Sequence, residues 1–201
     1  MNVVGLDLAG SPKRHTGFCL LHRGLCVTSV LHSDEEILSE TRLAAPDVVS
    51  IDAPLFLPKG RESLEKRGPP HLRACDRELL RMKIRFFPIS LGPMRMLTER
   101  GMRLRKILES DGFKVIEAYP GAVQDMLGMP RKQAGLEDLR RALVDFGVRG
   151  GIKKKDISGD ELDAVTCAIL GKMYLDGSYQ AIGEEDEGFM ILPDVTRLRS
   201  H

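Results

Sequence analysis

Five acidic residues occupy positions from which they could share one site. Asp7, Asp52 and Glu117 each lie at or near the end of an apolar run, and Asp160 and Asp163 are three residues apart in the segment GDELDAVTCAIL. Sites in open α/β sheets gather at the carboxyl ends of parallel strands, and residues three apart share one face of a helix. We therefore expect these acids to converge, provided that their strands are neighbours and the helix packs over the strand ends.

Crowded carboxylates predict a metal site. They repel one another and take up protons unless cations neutralise them, and hard oxygen ligands favour Mg²⁺ or Mn²⁺. Two such ions about 3.5–4 Å apart can activate a water and stabilise the leaving oxygen of an in-line phosphoryl displacement. The sequence offers no obvious nucleophile with its base, so metal-assisted phosphoryl chemistry suits its residues.

Each acid also has a structural interpretation. Asp7 and Asp52 could cap the turns after their strands, although an Asp within an apolar strand costs desolvation free energy. Glu117 could point into solvent from its strand end, and Asp160 lies in the first helical turn, where the helix dipole favours any acid. Asp163 is further into the helix and is flanked by apolar residues, which favours a role in a site.

A basic segment follows the second acidic strand end. Between Lys59 and Glu109 the chain has fourteen Lys or Arg and six Asp or Glu, so this segment could contact phosphates although the formal net charge of the whole chain is only +1. Its candidate substrate-binding residues are Arg61, Arg73, Arg77 and Arg81. The last three recur every four residues, which predicts a stripe along one helix that could clamp a phosphodiester backbone.

The alternative for the basic segment is a solvated helical face. Its arginines would then cover apolar surface or pair with Asp76 or Glu78. The chain has no Trp and only three Tyr. Because single strands are read largely by stacking on aromatic side chains, sequence-specific reading of a single strand is not expected.

The composition excludes several other classes of protein. The 201 residues are 42% hydrophobic and 29% charged, which predicts one soluble globular domain rather than a fibre or a disordered chain. No stretch approaches the roughly 18 apolar residues of a membrane helix, and we expect a cytoplasmic protein. The four cysteines are scattered without C-x-x-C spacing, so neither a disulfide framework nor a structural zinc site is expected.

A predicted sheet positions the acids. Apolar runs at Val3–Leu8, Thr16–Leu21 and Leu25–Leu31 predict a three-stranded antiparallel meander. Two further buried strands are expected at Val48–Ile51 and Phe113–Ile116, each directly before its acid. The alternation of strands with helical segments predicts an α/β fold.

Helices and loops fill the remaining chain. Ser158, with Glu161 three residues on, is a capping-box pattern that predicts the start of the helix carrying the last two acids. The stretch 55–70 is rich in Pro, Gly and charge, which predicts a functional loop. Further predicted elements are a short helix after Ser33, helices at His71–Arg85, Gly92–Ser110, Gly121–Leu127 and Leu136–Phe146, and an edge strand at Phe189–Leu192.

These motifs and their order carry a resemblance. GLDLAG on the first strand, SIDAPL on the fourth and GDELDAVTCAIL on a late helix resemble the ribonuclease H-like superfamily, which includes the Holliday-junction resolvases. More closely, the sequence resembles the domain-of-unknown-function family 429, described as predicted nucleases of that fold. The matching pieces are the Asp7 strand, Asp52-Ala53-Pro54-Leu55, Arg61, the Arg73 to Arg81 segment, Glu117-Ala118-Tyr119-Pro120 and the Asp160 to Ala164 helix start.

The resemblance implies a fold, a site and an activity. The fold is a mixed five-stranded sheet with helices on both faces, in one domain over residues 1–201 with a basic loop and helical insertion at about 55–111. Asp7, Asp52 and Asp163 would be metal ligands, Asp160 a fourth ligand, and Glu117 a nearby ligand or base. The implied activity is a Mg²⁺- or Mn²⁺-dependent nuclease. Asp52 stands where the resolvases have a glutamate, which leaves the number of metals open.

Two other functions stay open. The start Asp7-Leu8-Ala9-Gly10-Ser11 is similar to that of the actin-like phosphotransferases, but this chain is too short for their two domains and lacks a second glycine-rich phosphate loop. The third hypothesis is a noncatalytic binding module on the same fold. For the leading hypothesis the partner is DNA or RNA of undecided structure, with no membrane, and the oligomeric state is undecided, a homodimer being one alternative.

Overall fold

Eight strands form one mixed sheet in the computed structural model, which describes residues 1–66 and 68–198. Their order across the sheet is β6-β3-β2-β1-β4-β5-β8-β7. β4, β5 and β8 run parallel to β1, whereas β2 is antiparallel to both of its neighbours. The strands are β1 Asn2–Asp7, β2 Thr16–His22, β3 Leu25–Leu31, β4 Val48–Asp52, β5 Val115–Ala118, β6 Arg149–Gly150, β7 Tyr179–Glu184 and β8 Gly188–Pro193.

The centre of the sheet has the predicted mixed arrangement of antiparallel and parallel strands. β1, β2 and β3 form the antiparallel meander, and β4 and β5 continue the sheet in parallel with β1. The predicted number of strands is wrong, since five were expected and the described sheet has eight. β6 has only two residues, and the side chains of β7 are exposed or half-buried, so neither contains the apolar run on which strand prediction depends.

The predicted position of the last apolar run is also wrong. β8 contains Phe189–Leu192 but lies between β5 and β7, and its last four residues are buried. An apolar strand gains more by packing inside the sheet than at its edge. The more polar β7 forms that edge instead, paired antiparallel with β8.

Seven helices are described. The helix that carries Asp160 and Asp163 begins with the predicted capping box, in which Ser158 and Glu161 satisfy each other's backbone amides. The helices are α1 Asp34–Ala44, α2 Ala74–Arg81, α3 Gly92–Ser110, α4 Pro120–Leu127, α5 Leu136–Asp145, α6 Gly159–Leu175 and α7 Val195–Leu198. None of the helices in the described part of the chain is long and apolar enough to cross a membrane.

α2 is shorter than the predicted helix His71–Arg85. Lys83 has a left-handed backbone with φ of 60°, which stops the helix. The amides of Lys83 and Ile84 donate to the carbonyls of Leu80 and Leu79, the hydrogen-bond pattern of a Schellman cap. Ile84 and Leu79 are buried in one apolar cluster, so packing fixes this helix end and the direction of the chain that follows.

α6 lies directly on the sheet because two strand residues have no side chain. A Cβ added to Gly17 in β2 would lie 2.0 Å from the carbonyl oxygen of Asp160, and one added to Gly5 in β1 would lie 2.1 Å from that of Ala164. Both distances are far below any van der Waals contact. The two glycines therefore let α6 approach closely enough to bring its acidic end over the end of β1.

The sheet separates two apolar layers. Val3 and Val48 pack with α6 on one face, whereas Val4, Leu6 and Ile51 pack with α1 and α3 on the other. Successive strand residues point to opposite faces. The face on which each strand-end acid lies therefore follows from its spacing from the apolar residues of the same strand.

Candidate active site

Four of the predicted acids meet on the α6 face of the sheet. Asp7 lies opposite Asp52 in the register of β1 and β4, so both side chains belong to the same face as Val3 and Val48. α6 adds Asp160 and Asp163 from its first turns. The expected convergence of strand ends and helix start is therefore present in the fold.

Lys132 is the centre of this group. Its Nζ lies 3.0 Å from Asp7 Oδ2, 3.1 Å from Asp160 Oδ1 and 2.8 Å from Asp163 Oδ2. Asp163 also accepts a hydrogen bond of 2.7 Å from Gln124 Nε2. We call Asp7, Lys132, Asp160 and Asp163 the Lys132 cluster. Three carboxylates share one ammonium group, so the cluster carries excess negative charge.

Burial and crowding change the acidity of the group. Burial raises the pKa of Asp7 to about 7; Lys132 opposes this rise and Asp163 adds to it. Burial, followed by repulsion from Asp7 and Asp163, raises the pKa of Asp52 well above its usual value. Burial lowers the pKa of Lys132, but Asp7 and Asp163 outweigh that effect and raise it. The site thus favours additional positive charge.

The side-chain chemistry of this site suits a hard divalent cation. In the described residues the acids surround Lys132, and no group of three or more His, Cys, Asp and Glu is arranged to hold a metal ion. Yet the donors that converge on this single positive charge are all carboxylate oxygens, which Mg²⁺ and Mn²⁺ prefer. The Asp52 side chain, next to them, has no hydrogen bond or ion pair with the described residues, so its oxygens are available.

Glu117 belongs to a different group. Its register partner in β4 is Ile51, which packs on the opposite face from Asp7. There Glu117 Oε2 accepts hydrogen bonds of 2.7 Å from the Leu55 amide and 2.7 Å from Arg73. Burial raises the pKa of Glu117, and Arg73 opposes the rise. Its Oε1 is buried without a hydrogen-bond partner among the described residues.

Arg73 joins Glu117 to Asp76. The guanidinium donates to Asp76 Oδ1 at 2.9 Å and to Glu117 at 2.7 Å, and the side chains of all three residues are at most 3% exposed. We call these three residues the Arg73 cluster. It compensates the charge of Glu117 within the protein.

Both clusters line one cavity of about 280 Å³, which we call the acid cavity. Asp52, Glu117, Lys132 and Asp163 line it together with Arg73 and with the aromatic residues Phe86, Phe87 and Tyr119. The cavity is large enough for part of a nucleotide but too small to enclose a polymer, so a long substrate would lie across its mouth.

The sequence matches the family described as "Protein of unknown function (DUF429)" over residues 5–188. The chain belongs to this family. No curated protein matches the sequence. One solved structure that it resembles is titled "Thermus thermophilus RuvC structure", with 14% sequence identity, a TM-score of 0.48, and coverage of 94% of this chain and 100% of the other.

The four arginines predicted to bind substrate do not form one exposed stripe. Arg73 precedes α2 and is buried in its own ion pairs. Arg61 donates to carbonyls of its own loop, including those of Pro70 and Ser63. Arg77 and Arg81 are exposed on α2, where Arg77 donates to the Leu72 carbonyl and Arg81 pairs with Glu78. The prediction of a regular stripe on one helix is wrong, because Arg73 precedes α2 and only Arg77 and Arg81 lie on it.

Sequence analysis missed Lys132 and other basic residues at the site. Lys132 is in the loop between α4 and α5, 125 residues from Asp7, and no motif marks it. Lys13 and Arg14 lie beyond Asp7 and, with Asp7, Lys132 and Asp160, line a second cavity, which we call the basic cavity. The signal that could have found Lys13 and Arg14 is their position directly after the turn that ends the Asp7 strand.

Another missed arginine fixes the turn after β1. Arg100 in α3 is buried and donates to Asp34 Oδ1, the Ala9 carbonyl and the His32 carbonyl, each at 2.7 Å. These bonds tie α3 to the turn that follows Asp7. Part of the basic segment therefore stabilises the fold through a buried arginine, which the alternative of a solvated helical face does not predict.

Proposed function

We propose that this protein is a metal-dependent nuclease that hydrolyses phosphodiester bonds at the Lys132 cluster and Asp52. The observation that supports it best is the convergence of Asp7, Asp160 and Asp163 on one cation within 3.1 Å. Carboxylate oxygens are the ligands that Mg²⁺ and Mn²⁺ prefer, and their excess over cations here favours a further positive charge. The resemblance of its motifs to the ribonuclease H-like nucleases and the order of its strands accord with this function.

Asp7, Asp52, Asp160 and Asp163 would hold Mg²⁺ or Mn²⁺, with two ions expected. Bound divalent ions supply an activated water and stabilise the charge on the leaving oxygen. Glu117, with its unpartnered buried oxygen on the cavity wall, is the candidate for a further ligand or a base. Gln124 holds Asp163 through its amide, which fixes the direction of that carboxylate.

Lys132 has a second role in this proposal. Its side chain is 27% exposed, and it lines both the acid cavity and the basic cavity. Metal ions held by the three carboxylates would compete with the Lys132 ammonium, which would then be free to bind a phosphate oxygen of the substrate. Lys13 and Arg14 in the basic cavity can bind phosphates on the far side of Asp7.

The test is a cleavage panel over branched DNA, RNA–DNA hybrid, single strands and structured RNA, with Mg²⁺, with Mn²⁺ and with EDTA. We expect cleavage of at least one substrate that requires the metal. Asp7→Asn and Asp163→Asn should lower the rate by about 10²–10³-fold or more, as the loss of a charge-stabilising group does. The matched control is Asp145→Asn, on the exposed surface at the end of α5.

Circular dichroism checks that each variant folds. Cleavage that continues in EDTA, or that survives both site substitutions, contradicts the proposal. So does a folded wild-type protein that cleaves nothing in the panel. In that last case, retained binding of nucleic acid would favour the noncatalytic binding module.

A further inference from the structure

An exposed aromatic side chain is among those that line the acid cavity. Phe87 is 70% exposed, more than any other aromatic residue in the part of the chain that the structure describes. It follows the Schellman cap of α2, whose buried Ile84 fixes the direction of the segment. The exposure of Phe87 is thus a consequence of a well-packed helix end.

Phe87 is part of a third cavity, which we call the aromatic cavity. Phe86, Phe87 and Tyr119 supply its rings, and Lys83, Arg85 and Arg131 supply its positive charge. Phe86, Phe87, Tyr119 and Arg131 also line the acid cavity. The two cavities are therefore neighbours, and a ligand in the aromatic cavity would be close to the proposed reaction site.

The polar groups of the aromatic cavity are held in place. Arg131 donates to Asp125 Oδ1 at 2.9 Å and Oδ2 at 2.5 Å, and to Tyr119 Oη at 3.3 Å. Its guanidinium lies 5.7 Å from the centre of the Tyr119 ring. A Cβ added to Gly121 would lie 2.9 Å from Arg131 Nη1, so the glycine leaves room for this arrangement. The bonds therefore fix the Arg131 guanidinium beside the Tyr119 ring.

We propose that Phe87, Tyr119 and Arg131 form a binding subsite for an unpaired nucleobase. This inference rests on the proposed function and names its substrate class: a nucleic acid with an unpaired nucleotide beside the phosphate that is cleaved. The base stacks on Phe87, and Lys83 and Arg85 bind its neighbouring phosphates. Aromatic side chains stack on any base, so this subsite recognises the unpaired state rather than the sequence.

The three aromatic residues of the cavity are adjacent in space although the chain is poor in aromatic residues. The low content of Tyr and Trp predicted no sequence-specific reading of single strands, and stacking at one subsite agrees with that. A base within a duplex presents only its edges and cannot reach Phe87 without leaving the stack. Blunt duplexes are therefore expected to bind more weakly than single strands or duplexes with an unpaired nucleotide.

Tryptophan fluorescence gives a direct test, because the natural chain has no Trp. Phe87→Trp places one fluorophore in the subsite. The matched control is Phe146→Trp, at the exposed end of α5. This helix end is near the β2–β3 turn and hence at the opposite end of the strands from Asp7. Each protein is titrated in EDTA with a single-stranded oligonucleotide, with the same strand carrying abasic nucleotides, and with a blunt duplex.

We expect the single strand to quench Phe87→Trp and to leave Phe146→Trp unchanged. The abasic strand and the blunt duplex should quench much less. By fluorescence anisotropy with a labelled strand, Phe87→Ala should bind about 5- to 100-fold more weakly than wild type, the loss expected for one stacked base. Phe87→Tyr, which keeps a ring, should restore most of the affinity.

Different results overturn different claims. Equal quenching of both Trp variants, or unchanged affinity in Phe87→Ala, overturns the subsite even if the wild-type protein cleaves nucleic acid. Specific quenching of Phe87→Trp with no metal-dependent cleavage upholds the subsite and overturns the hydrolytic function. Absence of both binding and cleavage overturns both proposals.

Discussion

The Arg73 cluster and the Lys132 cluster lie at the same end of the sheet, but their charges are compensated differently. Arg73 holds two carboxylates, and the side chains of the group are at most 3% exposed. Lys132 holds three carboxylates, and its own side chain is 27% exposed. Both groups hold more carboxylates than cations, but the first is dry with one acid in excess, whereas the second is open to water with two acids in excess.

The two basic side chains suit these different surroundings. A guanidinium is a planar fork that pairs with carboxylates in fixed directions, so it serves buried structural ion pairs. An ammonium group is a point charge on a flexible stem, so another cation can replace it at little structural cost. The Lys132 cluster therefore suits exchange of its cation, whereas the Arg73 cluster suits a fixed ion pair.

The largest expected effect comes from breaking the Arg73 cluster. Arg73→Met leaves Asp76 and Glu117 buried without a cation, which should lower the free energy of unfolding by about 3–5 kcal/mol. Urea denaturation measures this change. The control is Arg77→Met on the exposed face of the same helix, which should change stability by less than about 0.5 kcal/mol. Equal changes in the free energy of unfolding for the two variants would contradict the structural role of the Arg73 cluster.

The pH dependence of stability should reveal the Lys132 cluster. The pKa of Asp7 is about 7 in the folded protein and is near 3.8 when unfolded, so the folded state retains the proton more strongly. Stability is therefore lost as pH rises from about 4 to 7, and the loss is complete above 7. Asp7→Asn lacks this effect and should gain up to about 4 kcal/mol relative to wild type across that range.

This comparison uses urea denaturation in EDTA at pH 4, 5, 6, 7 and 8. Asp145→Asn is the control, since it removes one carboxylate charge, as Asp7→Asn does, but from an exposed position. A constant difference between wild type and Asp7→Asn over the whole range would show that Asp7 is not crowded as described.

Displacement of α6 should affect the Lys132 cluster, to which it contributes two acids, and should distinguish it from the Arg73 cluster. Gly17→Ala places a methyl group against the backbone of Asp160, which should cost about 2–3 kcal/mol of stability through overpacking. It should also reduce cleavage in the variant molecules that remain folded, because α6 carries two of the acids. Gly60→Ala, at a glycine with no atom within 4 Å of the added Cβ but with φ of 84°, should cost only the smaller backbone strain.

The smallest expected effect tests whether another cation can replace the Lys132 ammonium group. Lys132→Met leaves three half-exposed or buried acids without their ammonium group, which should lower stability in EDTA by about 1–2 kcal/mol. Mg²⁺ should then raise the melting temperature of this variant more than that of wild type. Lys172→Met, which breaks an exposed pair with Asp176, should show no such response. Equal Mg²⁺ responses in all three proteins would contradict competition between Lys132 and a metal.

Local patterns in the sequence determined much of the architecture. The apolar runs predict β1 to β5, the capping box predicts the start of α6, and the acids at strand ends predict where a site would form. These features depend on the period of side chains along a strand or helix, which a single segment displays. Strands without an apolar run, such as β6 and β7, give no such signal.

Only the tertiary structure decided which side chains meet. Lys132 and Asp7 are 125 residues apart, and nothing in either segment specifies the other. Glu117 lies opposite Ile51, one residue before Asp52, so its side chain lies on the opposite face from Asp52, where Arg73 binds it. Likewise, packing of Ile84 leaves Phe87 exposed beside Tyr119. Such meetings depend on how strands align and how closely helices approach, because free energy of packing is a property of the whole fold and not of any one segment.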